Sequence, residues 1–278
     1  MKKNTCLMSF ICVLVLALSW SCVALAVQQE TPFIYTTGFE PDEVPAFSVG
    51  TLPQNGWESS GTATITDSIA YSGVQSLAIS PQATVDKAMD VAGHQEVWLE
   101  GWYKTTPEPE YPDLAVLEPG SCLVLFHSIE GISCLDGDGQ GNGAWISTGV
   151  MVDPARWYRV TIRQNYQTHK WDCFVDGYLK LRGLGFKNNI NKLSGFRLQQ
   201  GENNNGNLDE FVVQTEPLIP SFGYQELFRF SRTWHWLNET PYEAPFNESE
   251  FNRYNRMRDE LINGSDLTEL IKAWHWDR

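Results

Sequence analysis

Hydrophobic and polar residues alternate with period two through residues 157–177, WYRVTIRQNYQTHKWDCFVDG, and this pattern predicts a β-hairpin. In the first strand Tyr158, Val160 and Ile162 take one face, and Trp157, Arg159, Thr161 and Arg163 take the other. In the second, Trp171, Cys173 and Val175 alternate with Asp172, Phe174 and Asp176. A polar segment, 165–170, joins the two strands. Asp176-Gly177 then supplies turn chemistry into a further strand over 178–181. Comparable short runs recur at 34–39, 62–67, 76–79, 96–103, 122–127, 144–147, 195–199 and 208–214, separated by Gly, Pro, Asn and Asp. Helical periodicity is almost absent before residue 217. The prediction for residues 27–216 is therefore an all-β, antiparallel sandwich. The segment 136–143, DGDGQGNG, reads as a flexible, polar hairpin connection, because it lacks the ligand spacing and closing Glu of a calcium loop.

The pattern changes after a linker at 217–223, PLIPSFG. Residues 224–278 read as a small α-helical appendage. Leu227, Phe230 and Trp234 share one helical face. Asn247 caps a second helix, with Glu250 completing a capping box, and that helix stops at Asn263-Gly264. Leu267, Leu270, Ile271 and Trp274 line a last one. Glu226-Leu227, Phe230 and Trp234-His235-Trp236 recur as Asp266-Leu267, Leu270 and Trp274-His275-Trp276, 40 residues later. A repeat at fixed spacing marks duplicated units that pack together.

Residues 1–26 carry the signature of a secretory signal: Lys2 and Lys3, an apolar run over 10–18, and Ala24-Leu25-Ala26 before the cleavage point. The run is short for a membrane span, so none is expected in the mature chain. The expectation is an exported protein, secreted or at the cell surface and bacterial in character. Hydrophobic residues make up 42% and aromatics 13%, enough for a substantial core. The net charge of −14 argues against nucleic acid and anionic membranes as partners, since phosphate binding needs a basic face. Beyond the signal three cysteines remain, Cys122, Cys134 and Cys173, so at least one thiol is unpaired. Two arrangements stay open: a Cys122–Cys134 bridge across neighbouring strands, or three buried apolar thiols.

Several elements in order resemble the laminin-G-like, concanavalin-A-like jelly roll. They are Gly38-Phe39-Glu40, the segment GTLPQNGW at 50–57, AYSGVQSL at 70–77, the 157–177 hairpin and LDEFV at 208–212. The resemblance implies two curved antiparallel sheets packed face to face. It also implies one structural calcium ion joining the first strand to the last, held by Glu40 and Asp209 with backbone oxygens near Ser72-Gly73. A hard cation needs several such oxygens. The C-terminal repeat is similar to a degenerate dockerin module, which implies a protein partner for its helices. Neither repeat carries the Asp/Asn-rich calcium loop of that family.

Catalytic patterns are not evident. Glu96 and Glu100 share a strand face about 13 Å apart, too far for a retaining glycosidase pair. His127 and His169 stand alone in the sequence. Binding chemistry is better represented. Aromatic rings stack on sugar faces and amides bond sugar hydroxyls. Candidate rings are Trp98, Trp102, Tyr103, Trp145, Tyr166 and Trp171. The ligand-binding positions expected from the pattern are Tyr166 at the hairpin tip and Asn203, Asn204 and Asn205 in an amide-rich loop. The sequence thus predicts a non-catalytic protein that binds carbohydrate or a cell-surface component. The alternatives are a glycoside hydrolase or lyase of the same fold, and a structural envelope protein.

Overall fold

The computed structural model describes residues 33–218. The predicted signal, most of the linker and the helical appendage lie outside the described residues. Within them the chain forms strands and no helix. In chain order these are β1 (Phe33–Thr37), β2 (Gly50–Thr51), β3 (Trp57–Ser60), β4 (Ala63–Thr66), β5 (Ser76–Ile79), β6 (Thr84–Val91) and β7 (Glu96–Thr105). There follow β8 (Val124–His127), β9 (Gly131–Gly137), β10 (Gly143–Ser147), β11 (Tyr158–Asn165), β12 (Lys170–Val175), β13 (Tyr178–Gly185), β14 (Leu193–Gln199) and β15 (Gly206–Gln214).

The strands build an antiparallel sandwich of the jelly-roll type. A nine-stranded sheet runs β13-β12-β11-β7-β15-β5-β4-β2, with β1 on β15 as well. The opposite layer holds two three-stranded sheets, β14-β6-β3 and β10-β9-β8. One apolar cluster joins the layers. It draws Val97, Leu99, Val160, Trp171, Cys173, Phe211 and Val213 from the large sheet, Trp57, Val85 and Leu193 from the first small sheet, and Ile132 and Cys134 from the second. Period-two alternation explains the selection, because each strand sends every other residue inward. At β15 a bulge between Asp209 and Val212 resets the count, so that Leu208, Phe211 and Val213 all reach the core.

The aromatic centre of the core is Trp57, fully inaccessible to solvent. Its ring lies 5.2 Å from Phe39, 5.6 Å from Phe211 and 6.2 Å from Phe196, all edge-on or tilted. Its indole N–H donates to the Tyr35 hydroxyl at 2.8 Å, so the one polar atom of the side chain is satisfied.

The three thiols are unpaired. Strand register accounts for this: Cys134 on β9 faces Val124 on β8, two residues past Cys122. The Cys134 side chain instead meets Cys173 of the large sheet, and that contact together with burial holds its thiol well above the usual range. Of the two arrangements open in the sequence, this is the one with three buried or half-buried thiols.

Candidate functional site

The sequence-expected ligand positions are split between two ends of the molecule. Tyr166 continues the inward alternation of β11 after Tyr158, Val160, Ile162 and Gln164, and is only 5% exposed. Its hydroxyl donates to Gln164 Oε1 at 2.6 Å and its ring meets Phe186 edge-on at 5.3 Å. The expectation of an exposed stacking ring at Tyr166 is corrected accordingly. The hairpin tip consists of Gln167 and Thr168, whose backbone N–H groups donate to Asn165 Oδ1. Asn203 and Asn205 are exposed, but Asn204 is buried and donates to the Pro107 carbonyl at 3.3 Å. Tyr166 hydrogen bonds Gln95 just before β7, and Asn204 reaches Pro107 just after it. At about 3.3 Å per residue the length of β7 separates them by roughly 30 Å, so they do not form one site.

Glu40 and Asp209, by contrast, are brought onto one loop, residues 69–75. Asp209 Oδ2 accepts the N–H groups of Tyr71 at 2.7 Å and Ser72 at 3.1 Å, and Oδ1 accepts that of Glu210 at 2.8 Å. Glu40 Oε1 accepts from Val74 at 2.9 Å and Gln75 at 3.1 Å. Gly73 is required at the crossing, since its φ is +61° and a β-carbon there would run into the Glu40 carboxylate. Burial pushes the Asp209 carboxyl up to about 7 against the lowering effect of the amides, and the Glu210 charge adds to the rise. The loop thus staples the first strand to the last through carboxylate–amide bonds. Among the described residues no three His, Cys, Asp or Glu side chains gather as a metal cluster.

The feature with the most recognisable binding chemistry lies on the outer face of β10-β9-β8. There the Tyr111 ring stacks on His127 at 4.4 Å with 13° between planes, and on Trp145 at 5.1 Å with 17°. Tyr111 and Trp145 are partly open to solvent, whereas His127 is buried. Each ring has a local anchor. Trp145 sits opposite Leu135 on the β9–β10 ladder. The Tyr111 hydroxyl lies 3.1 Å from Ser133 Oγ. His127 Nδ1 accepts the N–H groups of Ile129 and Glu130, which fixes the ring plane.

A groove of about 480 Å³ is lined by residues 114–119, by Gln140, Gly141 and Asn142, and by Lys187 and Asn188. Asn142 precedes Trp145 by three residues, about 10 Å of extended chain. The groove wall is the glycine-rich segment, and it is the hairpin connection expected from the sequence, joining β9 to β10. Asp138 Oδ1 accepts from Gln140 and Asn142, while Gly139 and Gly141 donate to the carbonyls of Phe186 and Lys187. These amide bonds hold the Asp138 carboxyl below the usual carboxylate range. The glycines allow the close approach, since a β-carbon at Gly137 would collide with the Phe186 carbonyl. Across the groove the Lys187 ammonium donates to the carbonyls of Leu117 and Glu118, and Asn188 Oδ1 accepts from Gly120.

A second groove, of about 520 Å³, lies beside the 165–170 hairpin and is lined by Arg163, Asn165, Thr168, Lys170, Asp172, Arg182 and Gly183. Its central charges satisfy one another: Arg163 pairs with Glu96 at 2.6 Å and Asp172 at 3.0 Å, and Gly183 N–H donates to Asp172 at 2.7 Å. Its lining includes no aromatic ring. Glu96 is committed to Arg163, and Glu100 accepts from the Thr161 hydroxyl at 2.7 Å in a buried position. Neither carboxylate stands in a groove as half of an acid–base pair.

The class defined at this point is an antiparallel jelly-roll sandwich with an aromatic stack and an amide groove on its smaller layer. No family of known proteins matches the sequence, and no curated protein does. Among solved structures the chain is similar to a cellulose-induced protein, with 12% identity over 66% of this chain and 97% of that one, TM-score 0.48. It is also similar to a xylan-binding module from Paenibacillus barcinonensis, with 16% identity over 66% and 96%, TM-score 0.33. A third is domain 4 of an extracellular arabinanase from Geobacillus stearothermophilus in complex with arabinotriose, with 12% identity over 65% and 81%, TM-score 0.36.

Proposed function

We propose that the sandwich is a non-catalytic, exported glycan-binding module, and that it binds sugar on the Tyr111–Trp145 stack and in the amide-lined groove. The observation that carries this is a partly exposed aromatic stack whose Trp145 follows Asn142 by three residues, together with a groove whose walls offer Gln140, Asn142 and Asn188. Sugar rings present axial C–H groups to an aromatic face and hydroxyls to planar amides, and the stack offers the first and the groove walls the second. The hydrogen bonds of the turn at 138–142 order the backbone that carries Gln140 and Asn142, which lowers the ordering cost of binding. The test is a panel of immobilised polysaccharides and oligosaccharides probed with the full chain. Retention on one or more neutral glycans, released by the free oligosaccharide, is the expected result. Release of cleaved product would replace this reading with the hydrolase or lyase alternative, and retention on none would remove it.

We also propose a calcium ion at Glu40 and Asp209. What supports it is a buried carboxylate, with Glu210 beside it and a second carboxylate, Glu40, on the same loop, in a chain that is acidic throughout. Two carboxylates supply too few oxygens for a hard cation, so backbone oxygens of the 69–75 loop would complete the set. When bound, the ion would supply positive charge where the first and last strands meet. Chelation is expected to lower the melting temperature, and readdition of calcium but not magnesium should restore it. An unchanged melting temperature would leave the carboxylate–amide staple as the whole of the connection.

A further inference from the structure

The amide-lined groove holds a cation with no counter-charge. Lys187 is only 3% exposed and forms part of the groove lining. Its backbone is held on both sides. The Lys187 carbonyl accepts from Gly141 at 2.7 Å, and its N–H donates to the Ser121 carbonyl at 2.8 Å. Asn188 is held in the same way, its backbone N–H donating to the Gly120 carbonyl at 2.9 Å. The ammonium is fixed in turn by the carbonyls of Leu117 at 2.8 Å and Glu118 at 3.2 Å. Among the described residues no carboxylate comes within 4.0 Å of it.

A buried charge is ordinarily paired, because leaving water unpaired is costly. The second groove follows that rule, with Arg163 set against both Glu96 and Asp172. At Lys187 two carbonyl dipoles stand in for an anion. They leave the net charge in place, and they use two of the three ammonium N–H donors. Glu118 is the one acid in the groove lining, and its side chain is 71% exposed and 4.0 Å from Arg197. The Gln140 amide and the Asn188 side-chain NH₂ group donate no hydrogen bond among the described residues. The groove therefore has donors to spare and one uncompensated positive charge, in a chain whose net charge is −14. A carboxylate suits that set, since it accepts at about four positions and donates at none.

We propose that this groove takes the carboxylate of a uronic acid unit, bound by the Lys187 ammonium and by the amides of Gln140 and Asn188. The inference rests on the glycan reading above and narrows it to glycans that carry uronate. The aromatic stack selects a sugar face, and the groove selects the charge. Charge-assisted hydrogen bonds are stronger than neutral ones, so the groove separates a uronate from its neutral counterpart.

Nuclear magnetic resonance of the full chain, titrated separately with methyl glucuronide, methyl glucoside and acetate, tests this through the side-chain amide signals of Gln140 and Asn188. The glucuronide should shift both and bind about tenfold tighter than either other probe. In Lys187→Met, which keeps an unbranched stem and removes the charge, the glucuronide should bind no tighter than the glucoside. The wild-type comparison stands without that variant. No shift with the glucuronide, or equal affinity for glucuronide and glucoside, would overturn the proposal. Acetate binding as tightly as the glucuronide would also overturn it, by showing a site for any small anion. The two readings fail separately. Neutral glycans retained without these shifts would remove the uronate site alone, and these shifts without retention of any neutral glycan would remove the aromatic-stack reading alone.

Discussion

Replacing Trp145 with alanine is expected to weaken glycan binding by about 30-fold or more, the loss of roughly 2 kcal/mol typical of a stacked aromatic at the centre of an interface. The melting temperature should move little by comparison. Trp145 is partly exposed and lies outside the core cluster, so its deletion leaves no large internal cavity. A Tyr111→Ala change should also weaken binding, with a larger cost in stability. Tyr111 is packed on both His127 and Trp145, and its hydroxyl meets Ser133. The comparison is made by titration calorimetry beside thermal melting. Equal loss of binding and folding in Trp145→Ala would assign the ring to structure.

Trp57→Ala has the opposite signature. The residue is fully buried, touches Phe39, Phe196 and Phe211, and bonds Tyr35. Removing it leaves a cavity lined by aromatic rings that cannot collapse together, and it takes the indole donor from the Tyr35 hydroxyl. A loss of about 3–5 kcal/mol is expected from a deletion of this kind. For a sandwich of this size that corresponds to a fall in melting temperature of about 10 °C or more. Urea unfolding followed by tryptophan fluorescence would measure it, and a change below about 1 kcal/mol would show that the ring is not central to the core.

Much of the sandwich was legible because strands write their faces into the sequence. The pattern at 157–175 predicted β11 and β12 with the correct inner residues, and the run 76–79 coincides with β5. β6 was missed. Its TVDKAMDV reads as polar because Asp86 and Asp90 face out, where they pair with Arg197 and Lys192 from neighbouring chain. β9 was missed because it enters the glycine-rich run, and the glycines there serve close packing on the 185–188 segment. Glu40 and Asp209 were paired through resemblance, since nothing local links them across so much chain; the structure joins both to the 69–75 loop by carboxylate–amide bonds. The aromatic stack was illegible for a similar reason. Tyr111 and His127 are 16 residues from each other and Trp145 is 18 beyond, and only the pairing of β8, β9 and β10 makes them neighbours. Trp145 was among the candidate rings, but no spacing rule singled it out. Tyr166 illustrates the converse: its inward direction was already implied by the alternation from Tyr158 through Gln164, and turn position was given more weight than period.

The most direct measurement is where a bound glycan touches. Nuclear magnetic resonance of the full chain, titrated with an oligosaccharide that it retains, reports the Trp145 indole N–H and the side-chain amides of Gln140, Asn142 and Asn188 separately from the rest. Binding on the aromatic stack and its groove predicts that these four signals shift together and saturate at one ligand per chain. Shifts confined to the Arg163–Arg182 groove, or no shifts with any glycan, would contradict it.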